Sequence, residues 1–262
     1  MNLNNKIAII TGGAMGNGYG IAEVFLKLGA TVVILDYSDK LAESLNKLSV
    51  ISKNVIGYKV DITNKDLVNK IIEDVYKRFN KIDILVNNAG VAKLVRFEDI
   101  TDEIRDFHID INIKGTWNVT KAVYPYMIKN NYGKIVNLSS VTGPKVADPG
   151  EVAYATTKAA LIGFTKSLAM EGASHNITVN AIMPGYIMTP MVEGIAKDSD
   201  ANNPDNVIKG IADGIPMKRL GTIEELGNLV AFLASDLSNY ITGSEFVIDG
   251  ASTLPETRSV RV

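Results

Sequence analysis

The sequence predicts an α/β fold, a single domain built on a doubly wound parallel sheet of seven strands with helices on both faces. Three observations predict it. Seven short β-branched or apolar runs recur along the 262 residues and alternate with helical patterns, and strand-helix alternation produces a parallel sheet covered on both sides. Glycines 12, 16 and 18 stand between the first run and the first helix, and an acidic residue, Asp36, ends the second run. With 46% hydrophobic residues the chain can fill one core, and α/β domains commonly reach this length undivided.

The elements follow in order. Strands are predicted at 7–10, 31–35, 55–60, 83–86, 134–138, 177–182 and 245–248. In the first helix Ile21, Val24, Phe25 and Leu28 recur at helical spacing, and Gly29 closes it before the second strand. A similar stripe at Ile71, Ile72, Val75 and Phe79 precedes the fourth strand, and another at Leu161, Phe164 and Leu168 precedes the sixth. One segment departs from this alternation. Between Pro184 and Pro216 lies a polar stretch, Lys197 to Pro204, rich in turn formers. Its place after a strand, on the side where α/β sheets bind ligands, predicts a substrate lid over about 188–215. The residues from 252 to 262, after the last strand, read as an extended tail.

Composition narrows the chemistry. A formal net charge of -2 and scattered charges leave no basic footprint for nucleic acid. No apolar run reaches the roughly 18 residues of a membrane span, and Ile7 to Ile10 is too short for a signal-peptide core. A soluble, cytoplasmic protein is therefore expected. The absence of cysteine removes disulfides, thiolate nucleophiles and cysteine-ligated zinc. No metal site is expected, and His108 and His175, the only imidazoles, read as structural.

At the end of the first strand, glycines 12, 16 and 18 leave backbone N–H groups uncovered at a helix N-terminus, where a pyrophosphate is favoured. The pattern is a wide Thr-Gly-x3-Gly-x-Gly turn, because isoleucine stands where the last glycine of GxGxxG would be. Such a turn in this place predicts a Rossmann-like dinucleotide site. Asp36 lies 24 residues beyond Gly12, where a carboxylate accepts hydrogen bonds from the adenosine ribose and repels a 2′-phosphate. No Arg or Lys at 13–17 or 37 compensates. NAD(H) is thus expected over NADP(H), against a reading in which Asp36 only caps the following turn. Asp61, at the end of the third strand, is placed to meet the adenine or to cap its own turn. Tyr154 and Lys158 are one helical turn apart, so an ammonium can sit beside a phenol and favour its ionised form.

In this order and spacing the glycine turn from Thr11 to Gly18, Asn87 to Gly90, Asn112, Ser140, Tyr154 with Lys158, Pro184-Gly185 and Thr189-Pro190 resemble the short-chain dehydrogenase/reductase family over the whole chain. Asn17 stands where that family usually has isoleucine or leucine; asparagine tolerates left-handed geometry and can cap a helix. Ser140 is assigned in preference to Ser139 because Val141, Thr142 and Gly143 follow it.

The resemblance implies an NAD-dependent oxidoreductase interconverting a secondary alcohol and a ketone, with Tyr154 as general acid or base and Lys158 lowering its pKa. Ser140 would donate to the substrate oxygen, and Asn112 would hold a water of the proton path. It also implies cofactor contacts at Gly12, Gly16, Asn17, Gly18, Asp36, Asp61, Ile62, Asn88, Ala89, Gly90, Tyr154, Lys158, Pro184, Gly185, Ile187 and Thr189, although Asn88 reads more readily as a tie between strands. A polyol or sugar-derived substrate is placed slightly ahead of a steroid-like or aromatic one. The alternative is a dinucleotide-binding sensor or scaffold without chemistry. A homo-oligomer, dimer or tetramer, is implied through the helices around 101–129 and 151–175, with Trp117, Val123 and Tyr124 as interface candidates and the tail packing across a subunit boundary.

Overall fold

A computed structural model of the chain describes residues 1–200 and 203–255. Its centre is a parallel sheet in the order β3-β2-β1-β4-β5-β6-β7, formed by β1 (Ile7–Thr11), β2 (Thr31–Asp36), β3 (Val55–Lys59), β4 (Ile84–Asn87), β5 (Gly133–Leu138), β6 (Ile177–Pro184) and β7 (Glu245–Ile248). The helices are α1 (Gly16–Lys27), α2 (Leu41–Ile51), α3 (Lys65–Phe79), α4 (Asp102–His108), α5 (Thr116–Asn130), α6 (Val152–Gly172), α7 (Pro190–Ser199), α8 (Pro204–Gly214) and α9 (Ile223–Ala234). Each strand coincides, to within a residue or two, with a run read from the sequence.

The period of two in β1 explains why both faces are covered. Ala8 and Ile10 point into a cluster with Phe25 of α1 and Leu226 and Val230 of α9. Ile7 and Ile9 point into the opposite cluster, with Ile72 of α3 and Val119, Val123 and Met127 of α5. Each fully buried side chain of this size contributes about 1.5–3 kcal/mol, so neither layer is dispensable. Because β1 lies between β2 and β4, the winding reverses there, and a crevice opens beyond the carboxyl ends of these strands.

A buried polar row fixes two helices against this sheet. Asn87 of β4 and Asn137 of β5 are register partners. Asn87 Nδ2 donates to Asn137 Oδ1 at 2.8 Å and to Thr120 Oγ1 of α5 at 2.9 Å. Asn137 Nδ2 donates to Thr165 Oγ1 of α6 at 2.9 Å.

This row corrects one expectation. The inward face of α6 runs through Thr157, Lys158, Leu161, Thr165 and Ala169, whereas Phe164 turns toward Trp117, 5.3 Å away between ring centroids. Apolar periodicity misses a face whose buried members include two threonines and a lysine. Of the interface candidates, Val123 lies in the core, Tyr124 packs partly buried against it, and Trp117 is 54% exposed.

The polar stretch before Pro216 is helical in its described part. Thr189 caps α7, Pro204 occupies the first turn of α8, and Asn203 N donates to Asp200 Oδ1 at 3.0 Å between them. Of the tail, 256–262 lie outside the described residues. Among the described residues no helix is long and apolar enough to cross a membrane.

Replacing Asn137 by alanine leaves the Asn87 amide and the Thr165 hydroxyl short of a buried partner. A loss of about 2–4 kcal/mol is predicted in urea unfolding, against less than about 0.5 kcal/mol for Asn46→Ala on the exposed side of α2.

Candidate active site

The crevice is a cavity of about 730 Å³, and its first wall is the glycine turn. Gly12 and Gly16 adopt φ of +67° and +57°, backbone that L side chains rarely adopt. A Cβ on Gly18 would lie 2.1 Å from the Gly12 carbonyl oxygen, so a side chain at position 18 would force the turn open. Asn17 leaves the turn intact, as expected: Gly16 takes the positive φ and Asn17 lies in the first turn of α1. Its amide oxygen is buried without a hydrogen-bond partner.

Asp36 closes one end of the cavity. Its Oδ2 accepts from Ala14 N at 2.7 Å and its Oδ1 from Ser38 N at 2.8 Å, so it both shapes the glycine turn and caps its own turn while lining the cavity. Asp61 accepts from the N–H and hydroxyl of Thr63; it and Ile62 line the same end. Asn88 ties the strands together: Nδ2 donates to the carbonyls of Thr11 at 3.0 Å and Gly12 at 2.9 Å, while Thr11 Oγ1 accepts from the N–H groups of Asn88 and Ala89.

Beyond Ala89 and Gly90 the other end of the cavity is built around Lys158. This side chain is 6% exposed and donates from Nζ to the Leu138 carbonyl at 2.8 Å. Burial pushes its pKa down to about 8. A Cβ on Gly90 would stand 3.4 Å from Nζ and 3.2 Å from Asn112 Oδ1, so glycine lets the loop after β4 approach both.

Asn112 sits in a π-helical segment, Ile109–Gly115, between α4 and α5, an irregularity frequent at functional sites. Its Oδ1 accepts from Val91 N at 2.8 Å. Its Nδ2 donates to Val91 O at 3.0 Å and Thr157 Oγ1 at 2.9 Å. The Asn112 side chain thus joins the β4 loop to α6.

Tyr154 and Ser140 face this end of the cavity. Ser139 Oγ donates to the Lys158 carbonyl at 2.8 Å, which anchors α6 to β5. Ser140 Oγ accepts from Thr142 N at 3.1 Å and faces the cavity with Tyr154, which distinguishes the two serines. The Lys158 Nζ lies 5.6 Å from the centre of the Tyr154 ring. The phenol pKa is raised above its ordinary value, first by burial, with Ser140 opposing and the Glu151 carboxylate reinforcing the rise. Desolvation of the phenolate dominates here.

Pro184, Gly185 and Thr189 line the cavity, but the Ile187 side chain packs into the core with α1 and α9. Its backbone bridges to Gly221, which turns the side chain inward. Sequence reasoning overlooked Phe107 and Ile111, which line the cavity and whose spacing of four is a readable signal. It also overlooked Thr157, which betrays itself only through Asn112. His108 is structural, as expected: it is fully buried, with Nδ1 2.8 Å from the Ile104 carbonyl and Nε2 accepting from Lys93 N at 3.0 Å.

Comparison with known proteins agrees with this geometry. Residues 12–253 match the family described as Enoyl-(Acyl carrier protein) reductase. The chain is 52% identical to Oxidoreductase UcpA of Salmonella typhimurium over 260 residues, 99% of each chain. It is 40% identical to the 3-oxoacyl-[acyl-carrier-protein] reductase FabG of Thermotoga maritima, over 95% of this chain and 98% of that one. Ligand-free aldohexose dehydrogenase of Thermoplasma acidophilum superimposes with a TM-score of 0.90 at 33% identity, covering 99% of this chain and 98% of that one. With this glycine turn, this sheet order and these relatives along nearly its whole length, the chain belongs to the short-chain dehydrogenase/reductase family.

Proposed function

We propose that this protein is an NAD(H)-dependent oxidoreductase that interconverts a secondary alcohol and a ketone, with Tyr154 moving the proton. The observation that carries this reading is the convergence of Ser140, Tyr154 and Lys158 at one end of a cavity whose other end is the glycine turn and Asp36. Members of the family generally bind a nicotinamide dinucleotide. FabG and aldohexose dehydrogenase are named for chemistry at an oxo group and on an aldohexose, which supports a carbonyl or hydroxyl carbon as the reacting centre.

The residues fit such a cofactor. Gly12, Gly16 and Gly18 leave uncovered N–H groups at the start of α1 for the pyrophosphate. Asp36 receives the ribose hydroxyls, Asp61 and Ile62 flank the adenine, Ala89 and Gly90 form the floor, and Pro184, Gly185 and Thr189 border the nicotinamide end. The Asn17 amide oxygen, without a partner among the described residues, supplies a further polar contact. When bound, the dinucleotide supplies or accepts the hydride.

The chain's own groups handle the proton. Ser140 donates to the substrate oxygen as negative charge develops on it. Tyr154, with its pKa raised by burial, holds its proton at neutral pH and gives it to a forming alkoxide. Lys158, with a pKa of about 8, is mostly cationic below that pH, and its charge favours the phenolate left behind. Asn112 is a positioning residue, holding Val91 and the Lys158 helix in register. The α7 and α8 pair, entered through Thr189 and Pro190 at the cavity edge, covers the substrate end. The exposed Trp117 on α5 marks where a second copy packs in a dimer or tetramer.

Tyr154→Phe is predicted to lower turnover about a thousandfold, with the NADH dissociation constant by fluorescence titration within about threefold of the parent. Asp36→Asn is predicted to raise affinity for NADPH relative to NADH by at least about tenfold; using the ratio cancels any general loosening of the turn. Asn17→Leu removes a buried amide oxygen that has no hydrogen-bond partner among the described residues. The protein alone is predicted to melt about one to several degrees higher, while its affinity for NADH falls about fivefold.

A further inference from the structure

The glycine turn is also held from behind. The buried face of α2 runs through Leu41, Ser44 and Leu48, so a serine occupies the middle of an otherwise apolar stripe. Serine and threonine hydroxyls inside helices readily turn back to the carbonyl one turn earlier, as those of Thr120, Thr156 and Thr165 do here. Ser44 does not. Its Oγ crosses to another element and donates to the Ala14 carbonyl, 30 residues away, at 2.5 Å.

Ala14 is the residue that Asp36 grips from the other side. Its N–H donates to Asp36 Oδ2 at 2.7 Å, so both backbone polar groups of this buried residue end on side chains. Further bonds close a circuit. Asp36 Oδ1 accepts from Ser38 N, the Ser38 carbonyl accepts from Leu41 N at 3.2 Å, and the Lys40 carbonyl accepts from Ser44 N at 3.0 Å. The chain thus leaves Asp36, makes a turn, enters α2 and returns to Ala14 through Ser44. Within such a network the carboxylate shifts only if Ala14 or the turn shifts with it. Met15, Asp36 and Ser38 line the cavity, whereas Ser44 lies behind it; its effect on a ligand passes through Ala14.

We infer that Ser44 is a positioning residue for the cofactor: by holding Ala14 it fixes the Asp36 carboxylate that discriminates between dinucleotides with and without a 2′-phosphate. This rests on the dinucleotide reading given above and names what sets its preference. Loss of the Ser44 hydroxyl leaves the Ala14 carbonyl without its buried partner, and Ala14 N–H loses its alignment on Asp36. NADH, which gains from a fixed carboxylate at the ribose, binds less well, while NADPH, which that carboxylate repels, does not lose in proportion.

The test measures dissociation constants for NADH and NADPH by fluorescence titration and takes their ratio in the parent, in Ser44→Ala and in Ser49→Ala. Ser49 is a control on the same helix, its hydroxyl donating to the Asn46 carbonyl of α2 at 2.8 Å. The preference for NADH is expected to fall about fivefold in Ser44→Ala and to stay within about twofold of the parent in Ser49→Ala. A general loosening of the turn weakens both cofactors alike, so a ratio unchanged in Ser44→Ala overturns the proposal. The second readout is amide hydrogen exchange of the ligand-free proteins, with the Ala14 N–H referred to the core amides of β5 to cancel global stability. Ala14 is expected to exchange about tenfold faster in Ser44→Ala, and an unmoved rate overturns the proposal as well. If the parent binds neither nucleotide, the dinucleotide reading fails, and the exchange rate alone decides whether Ser44 holds Ala14 against Asp36: faster exchange supports that hold, and an unmoved rate overturns it.

Discussion

The structure around the cavity depends on keeping one lysine out of water. Lys158 is buried at the meeting point of β5, α6 and the loop after β4, where an ammonium without partners would cost several kcal/mol. Leu138 supplies a carbonyl to Nζ, Ser139 ties the Lys158 backbone to β5, and Gly90 leaves room for the β4 loop. Asn112 then bonds that loop to Thr157, the residue before Lys158. Each of these sequence features has its physical reason in the housing of that side chain. Tyr154, one turn earlier, inherits a fixed position from the same helix.

The other half of the site has a comparable economy. The turn between β1 and α1 closes because Gly18 has no side chain, and Asp36 reaches back from β2 to bond Ala14 N. Asn88 bonds the carbonyls of Thr11 and Gly12 from β4. At the topological switch, side-chain hydrogen bonds from the ends of β2 and β4 hold the loop between β1 and α1. Preorganisation of this kind lowers the ordering cost of binding.

Much of this architecture is legible in the sequence, for identifiable reasons. The inner strands appear because parallel strands buried on both faces require continuous β-branched or apolar runs, and the half-buried edge strands β3 and β7 still carry short apolar runs. The glycine turn, Asp36, Ser140, Tyr154 and Lys158, singled out by residue type and spacing, come together around one cavity. Legibility fails where polar residues do core work or apolar residues change faces. Thr157 and Thr165 look like surface positions on α6, yet they carry the hydrogen bonds that dock it. Ile187 looks like a cavity residue from its neighbours, and the bridge to Gly221 sends it into the core. The π-helical segment at Asn112 has no periodic signature, and the run from Lys197 to Pro204 reads as loop although its flanks, capped by Thr189 and opened by Pro204, are helical.

The central claim is that Ser140, Tyr154 and Lys158 form a working carbonyl-reducing centre at the end of a dinucleotide cleft. The most direct measurement is the initial rate of loss of reduced-nicotinamide absorbance, with NADH and then with NADPH, against a panel of neutral ketones and keto-sugars. The account predicts turnover with NADH well above that with NADPH on at least one member. Tight NADH binding without any oxidation of it across the panel would contradict the claim and favour a dinucleotide sensor on the same fold.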